Sequence, residues 1–335
     1  MSHTCHIRYG RLHEDTAETM HDLAAALSAY PRSCVHERAL AVLIFEDALR
    51  IRREIYSDED DHPQFMKTLE ELVSMLVEEG LWSQALDYTL EFLEMRKREF
   101  PNENSTILAD AYHDASLVLL RNADLKGAKE YADKALEIAQ KTEGEMSESV
   151  ANMYTLLAEV REAQGKHNKA RVLHESALEI RSSLHDGMHE SVAQSMESIG
   201  HMRNQAGKYE KAREMFIQAL DIRKILCEDK PDVYVAYTLC DLYGTFVSQE
   251  LYLEALPLAE ETLLMRKEVH QNSLLLIADT MVDLANIHTA LGNHDTAKDY
   301  LEDGKRLHRR HVYMCIHFCV YALNIYLHHW ESITD

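Results

Sequence analysis

The sequence is poor in the residues that form the turns of sheet proteins. Its 335 residues include only 11 Gly and 5 Pro, whereas sandwiches and barrels need a turn about every 8–12 residues and build it from such residues. This scarcity favours long helices. The six cysteines are scattered and form no disulfide framework, which predicts a reducing, cytoplasmic location.

Long apolar runs and positive charge are also scarce. No stretch reaches the roughly 18 apolar residues that a membrane span needs, and residues 1–6 lack the apolar stretch of a signal peptide. The chain has 35 basic and 57 acidic residues, a formal net charge of −22. Because an acidic surface repels phosphate groups, the composition argues against nucleic acid as a partner, and the lack of a span argues against a membrane.

An alanine recurs along most of the chain at intervals of 42 or 43 residues. In several copies a glycine stands five residues before this alanine, as at Gly80, Gly165 and Gly207. A fixed period of this length is the signature of a repeat array. The alanines that define the register are Ala85, Ala128, Ala170, Ala212, Ala255 and Ala297.

Each repeat reads as two amphipathic helices joined by a tight turn. Between residues 209 and 226 the apolar residues return every three or four positions, which predicts one apolar helix face. Glycine adopts the left-handed C-cap conformation without strain. We therefore expect the first helix of a repeat to end at Gly165 and at Gly207. A repeat therefore consists of a first helix, a glycine cap and a second helix.

The small residues at one register position of the first helix predict close packing. Two helices cross closely only where the side chains between them are short. We therefore expect Ala158 to face Ala170 and Gly200 to face Ala212. No repeat can bury its apolar face alone, so each is expected to stack on its neighbours.

Two copies of the repeat share a longer motif. Gly-Lys is followed by the register alanine and then by Ala-Leu-acidic-Ile-Arg, over residues 165–181 and 207–223, and a weaker first copy ends at residues 48–52. The motif resembles the tetratricopeptide repeat, in the 42-residue form of kinesin light chains. The resemblance covers residues 15–305 and implies an all-α, right-handed superhelical solenoid of about seven helical hairpins.

The ends of the chain differ from the repeats. Residues 1–14 are polar and are expected to be disordered. Residues 306–335 begin with basic residues and are then apolar on nearly all sides, which predicts a helix that caps the last repeat or forms a homodimer contact. An interfacial membrane helix and a tail unrelated to the repeats are the remaining interpretations.

No motif for catalysis or cofactor binding stands out. The sequence contains no Gly-rich phosphate loop, no Gly-x-Ser-x-Gly elbow and no His-Glu-x-x-His pattern. In the tail, Cys315 and Cys319 share a helix face with His311, but the paired spacing of zinc sites is missing. The sequence therefore predicts no enzyme, no cofactor and no metal.

The resemblance implies a non-catalytic scaffold or adaptor for proteins, a role that repeat arrays fill in many unrelated contexts. The first helices of a solenoid form its concave wall, where an extended peptide or a partner helix would bind. Kinesin-light-chain-like cargo recognition is one form of this function, and a regulatory or sensor module that controls a partner enzyme by changing solenoid shape is the alternative. Register positions on this wall nominate Asp110, His113, Asp114, Asn152, Thr155, Glu159, Glu162, Glu197, Ser198, His201, Asn204, Asp241, Asp279, Asp283 and Asn286.

The nominated residues are rich in carboxylates. Basic residues near them are few, chiefly Lys67 and Arg121. We therefore expect a protein or peptide partner that is basic or of mixed charge. The alternative interpretation is that these residues are ordinary solvated helix faces in a chain with a net charge of −22.

Overall fold

A computed structural model describes the fold. Within the residues it describes, every regular element is a helix, which confirms the predicted all-α class. The helices fall into two compact units that meet in sequence after Gly144. The described residues are 13–29, 35–56, 62–102, 105–269 and 274–313.

The first unit contains repeats one to three, each a pair of packed helices. The second helix of one repeat also packs against the first helix of the next. This is the stacking that the apolar faces require. The helices are α1 (Glu14–Ala29), α2 (Val35–Ile55), α3 (Pro63–Glu78), α4 (Trp82–Glu99), α5 (Thr106–Arg121) and α6 (Leu125–Glu143).

The second unit contains repeats four to seven and follows the same plan. Its last helix, α14, covers residues 294–313, so the predicted boundary after residue 305 lies inside a helix. The helices before it are α7 (Glu148–Ala163), α8 (His167–Leu184), α9 (Glu190–Gln205), α10 (Tyr209–Leu226), α11 (Val233–Val247), α12 (Tyr252–Val269) and α13 (Leu274–Ala290).

Predictions for the two ends of the chain fall largely outside the described residues. Residues 1–12 and 314–335, the latter with Cys315 and Cys319, are among these. The disordered N-terminus, the C-terminal cap and the homodimer contact therefore stay predictions. Among the helices that are described, none is both long and apolar enough to cross a bilayer.

The register alanines mark the contact between the two helices of a repeat. Five of the six are fully buried, and Ala297 is 6% exposed. Ala158 and Ala170 share one core cluster, as predicted. At Gly200, an added Cβ would lie 2.7 Å from the ring of Phe216. The glycine therefore makes room for this ring, and its approach to Ala212 stays a prediction.

The first helices end at residues in the left-handed conformation. Gly165 has φ of +72° and Gly207 has φ of +69°. After α7, the N–H of Gly165 donates to Glu162 O at 2.7 Å, and the N–H of Lys166 donates to Arg161 O at 2.8 Å. These bonds satisfy carbonyl groups that the helix leaves open, and they confirm the predicted glycine caps.

Candidate partner-binding surface

All fifteen nominated residues lie on first helices, and each is half-buried or exposed. Asp110, His113 and Asp114 lie on α5 in the first unit, and the others lie in the second unit. We call the latter set the first-helix wall. It consists of Asn152, Thr155, Glu159, Glu162, Glu197, Ser198, His201, Asn204, Asp241, Asp279, Asp283 and Asn286.

Neighbouring first helices bring residues of this wall together. The Nε2 atom of His201 on α9 lies 3.1 Å from the Oδ2 atom of Asp241 on α11. The hydroxyl of Tyr243 on α11 donates to Asp283 on α13 at 2.7 Å. The repeat register therefore places polar residues of α9, α11 and α13 side by side.

Burial and neighbouring charges shift the pKa values of three groups on the first helices. The hydrogen bond to Asp241 raises the pKa of His201 above its ordinary value. Burial raises the pKa of the Glu197 carboxyl, although Arg223 opposes the shift. In the first unit, burial and then the neighbouring Asp114 raise the pKa of Asp110. Burial and neighbouring charges therefore both perturb titratable groups on these first helices.

Two exposed tyrosines that were not nominated lie on the same helix as Asp241. Tyr234 is 53% exposed and Tyr237 is 39% exposed. The guanidinium groups of Arg223 and Arg266 lie 5.3 Å and 6.0 Å from the ring centres of Tyr234 and Tyr237, respectively. Aromatic surface therefore lies on α11 together with a carboxylate. The spacing of residues 234, 237 and 241, which is that of one helix face, was the available sequence signal.

A row of buried arginines lies on the second helices. Four arginines at one register position are each at most 5% exposed. Each donates from Nη1 to a hydroxyl on the first helix of the next repeat, and so joins consecutive repeats. The pairs are Arg52 with Thr68, Arg181 with Ser195 at 2.6 Å, Arg223 with Thr238 at 2.6 Å and Arg266 with Thr280 at 2.7 Å.

Three of these arginines also bind carboxylates, and some of their partners are residues of the first-helix wall. Arg223 pairs with Glu197, and Arg181 donates hydrogen bonds to the side-chain oxygens of Asn152 and Thr155. These wall residues already have partners within the protein. The carboxylate pairs are Arg52 with Glu14 and Glu18, Arg181 with Glu148, and Arg223 with Glu190 and Glu197.

The buried arginines were not predicted, although the sequence carries a signal for them. An arginine follows an alanine by eleven positions in five repeats, and four of these five arginines are the buried ones. The pairs are Ala41 and Arg52, Ala85 and Arg96, Ala170 and Arg181, Ala212 and Arg223, and Ala255 and Arg266. In one pair of consecutive repeats the arginine position is occupied by Ala139 and the hydroxyl position by Met153, and both residues are apolar. This substitution falls beside Gly144, where the first compact unit ends.

Family comparison agrees with the repeat geometry. Models of the tetratricopeptide repeat match residues 108–147, 149–225 and 277–312. The chain is a tetratricopeptide repeat protein. Such repeats are in general a non-catalytic, protein-interaction fold. In the described part of this tetratricopeptide repeat protein, no group of three or more His, Cys, Asp or Glu side chains is placed to hold a metal ion.

Solved structures share the tetratricopeptide repeat fold. BtubC (BKLC) from P. vanneervenii matches with a TM-score of 0.59 and 20% identity, over 72% of this chain and 91% of that chain. Nearly identical kinesin-light-chain-type repeats from Podosopora anserina match with a TM-score of 0.53 and 19% identity, over 62% and 97%. The apo quorum sensor NprR from B. thuringiensis matches with a TM-score of 0.55 and 16% identity, over 88% of each chain. At these identities the likeness concerns the fold alone. None of the curated proteins compared matches this chain.

Proposed function

We propose that this tetratricopeptide repeat protein is a non-catalytic scaffold or adaptor. It binds an extended segment of a partner protein, basic or of mixed charge, on the first-helix wall. One observation carries the proposal: Asp241, Asp279 and Asp283 lie on the neighbouring helices α11 and α13, in the unit that also exposes Tyr234 and Tyr237.

The chemistry of these groups suits lysine and arginine side chains. Carboxylates accept charge-assisted hydrogen bonds from both cations. A tyrosine ring at an exposed site adds about 0.5–1 kcal/mol when a cation lies over it. Since each contact is weak, several must act together, and a row of adjacent first helices supplies them.

Kinesin-light-chain-like cargo recognition is a narrower form of the same proposal. It is supported by the fold that the chain shares with the Podosopora anserina repeats. Because that likeness concerns the fold alone, the charge of the wall, and not the likeness, defines the class of partner that we propose.

Fluorescence anisotropy with a labelled, amidated peptide of alternating Lys, Gly and Arg tests the proposal on the full chain. We expect saturable binding that weakens as salt rises, because exposed charges are screened beyond about 8 Å at physiological ionic strength. The triple variant Asp241→Asn, Asp279→Asn, Asp283→Asn should lose about tenfold in affinity, which corresponds to about 1.4 kcal/mol.

A matched control distinguishes the effect of the wall carboxylates from the effect of the overall charge of the chain. The triple variant Glu214→Gln, Asp221→Asn, Glu254→Gln removes the same charge from exposed positions on the second helices α10 and α12. It should bind the peptide as the unaltered chain does. Equal weakening in both triple variants would mean that the peptide senses only net charge, and would contradict the assignment to the wall.

A further inference from the structure

Arg266 holds in repeat six the place of Arg223 in repeat five, but no carboxylate among the described residues neutralises its charge. Its side chain is 5% exposed, and Nη1 donates to Leu276 O at 3.0 Å and to Thr280 at 2.7 Å. Its Nε is enclosed and has no acceptor in the part of the chain that the structure describes. Within the described ranges of the chain no carboxylate pairs with this guanidinium. A buried cation without a counter-charge is unfavourable.

The missing acceptor has a cause in the sequence. In repeats four and five, Nε of the corresponding arginine donates to the glutamate that begins the first helix, to Glu148 at 2.8 Å and to Glu190 at 3.1 Å. Both glutamates precede their arginine by 33 residues. The residue 33 positions before Arg266 is Val233, which begins α11.

The second carboxylate of repeat five is also absent from repeat six. The register position of Glu197, which pairs with Arg223, is Cys240 in repeat six. The thiol of Cys240 donates to the hydroxyl of Tyr243 at 3.2 Å. Burial raises the pKa of this thiol, so the group supplies no negative charge. Repeat six therefore retains the arginine and loses both of its anionic partners.

Arg96 in the first unit shares only part of this arrangement. Its Nε lacks an acceptor, and Pro63 stands 33 residues before it. A cavity of about 390 Å³ lies beside it. However, Arg96 pairs with Glu70 at 3.0 Å and with Glu99 at 2.7 Å. Its charge is neutralised within the protein, which leaves Arg266 as the stronger candidate.

We propose that Arg266 is a carboxylate-binding subsite of the first-helix wall. A carboxylate of the partner segment takes the place beside Arg266 that Glu190 takes beside Arg223. The forked guanidinium donors match a carboxylate, and Tyr234 and Tyr237 lie beside Val233 at the start of α11. This inference rests on the proposed function and narrows it. The segment carries an acidic group between basic residues, which bind the surrounding aspartates.

Acetate is the first probe, because it presents the carboxylate alone. The full chain is labelled with ¹⁵N-arginine, and acetate replaces chloride at constant ionic strength. We expect the Nε–H signal of Arg266, assigned by its loss in Arg266→Lys, to shift saturably while the signals of Arg181 and Arg223 stay in place. An Arg266 signal that does not respond to acetate would overturn the subsite.

Val233→Glu restores the carboxylate that repeats four and five already have. We expect this variant to unfold at a higher temperature and to lose the acetate response, because an internal carboxylate occupies the subsite. Val233→Gln has the same length without the charge and should keep the response. A Val233→Glu chain that responds to acetate as the unaltered chain does would contradict the proposal.

A set of peptides tests whether the partner segment carries an acidic residue. Each is an amidated Lys/Gly/Arg peptide with one Glu or one Gln, and this residue is placed at each position in turn. The best Glu peptide should bind about tenfold more tightly than its Gln counterpart, and Val233→Glu should remove this preference. If no Gln peptide binds, the proposed function fails, and the acetate result still stands for the subsite. If the Gln peptides bind and no Glu peptide is preferred, the subsite alone fails. A free C-terminus is distinguished by comparing amidated and carboxylate-ended Gln peptides.

Discussion

In repeat five the aromatic ring between the two helices comes from the second helix, whereas in repeat six it comes from the first. Gly200 on α9 makes room for Phe216 on α10. In repeat six the large residue, Tyr243, stands at the position of Gly200, and the small residue, Ala259, stands at the position of Phe216. Tyr243 on α11 and Ala259 on α12 are buried in one cluster. The comparison indicates that the register fixes the volume that two helices share, and leaves open which helix fills it.

The polar contacts of the two repeats differ in a second way. Arg223 and Arg266 both donate to a threonine of the next first helix, at 2.6 Å and 2.7 Å. Only Arg223 also pairs with Glu190 and Glu197. The hydroxyl bond therefore joins the repeats, and the carboxylates neutralise the arginine. Because these are separate roles, one can be lost while the other is kept.

Removing the arginine of repeat five should have the largest effect on stability. Arg223→Ala leaves Glu190 and Glu197 without their cation and Thr238 without its donor, and we expect a loss of about 3–5 kcal/mol. Urea unfolding followed by circular dichroism measures the loss. Since repeat arrays can unfold in parts, hydrogen exchange should show it first in α9 and α11.

Arg306 provides the control for this prediction. It is 76% exposed and pairs with Asp303 on its own helix at 2.9 Å. Arg306→Ala should therefore cost about 0.5 kcal/mol or less. If both alanine variants lost the same stability, the buried arginine would not be what joins repeats five and six.

Two glycines test the exchange of volume between the same repeats. Gly200→Ala places a Cβ 2.7 Å from the Phe216 ring, and such overpacking costs about 1–3 kcal/mol. Gly244→Ala on α11 meets no atom within 4 Å, so it should stabilise the helix by about 0.5–1 kcal/mol. Thermal unfolding of the two variants measures both effects. Equal stabilisation would show that the Phe216 ring is not held by its packing.

The sequence was sufficient for features that a residue determines locally. The alanine period predicted the helical repeats, and Gly165 and Gly207 predicted where first helices end, because a left-handed residue constrains its own position. Pairings between helices were harder to predict. The sequence did not indicate that the Phe216 ring packs on Gly200, because which side chain fills a gap depends on residues elsewhere in the chain.

The candidate site shows the same division. The register placed all nominated residues on first helices, where they are accessible. It could not separate Glu197, which is bound to Arg223, from Asp279, which is exposed. That distinction depends on a buried arginine from another helix. Tyr234 and Tyr237 were missed because tyrosine at helical spacing is equally typical of a buried face.

The smallest expected effect concerns pH, and it again separates the two repeats. His201 in repeat five pairs with Asp241, whereas the same register position in repeat six is Gly244. The hydrogen bond to Asp241 raises the pKa of His201 above 6.5, and the charges of Glu197 and Glu162 add to the shift. NMR titration of the His201 ring measures this pKa, and Asp241→Asn should lower it.

The sign of the shift sets the direction of both stability and binding. Because the folded pKa is raised, the stabilisation by the His201–Asp241 pair is complete below the unfolded value and is lost as pH rises through the folded pKa. Over the same range His201 loses its positive charge, so Asp241 becomes free to bind a cation. Affinity for the Lys/Gly/Arg peptide should therefore increase with pH, and His201→Gln should flatten the increase. An increase that persists in His201→Gln would have to come from another group, and would separate the pair from peptide binding.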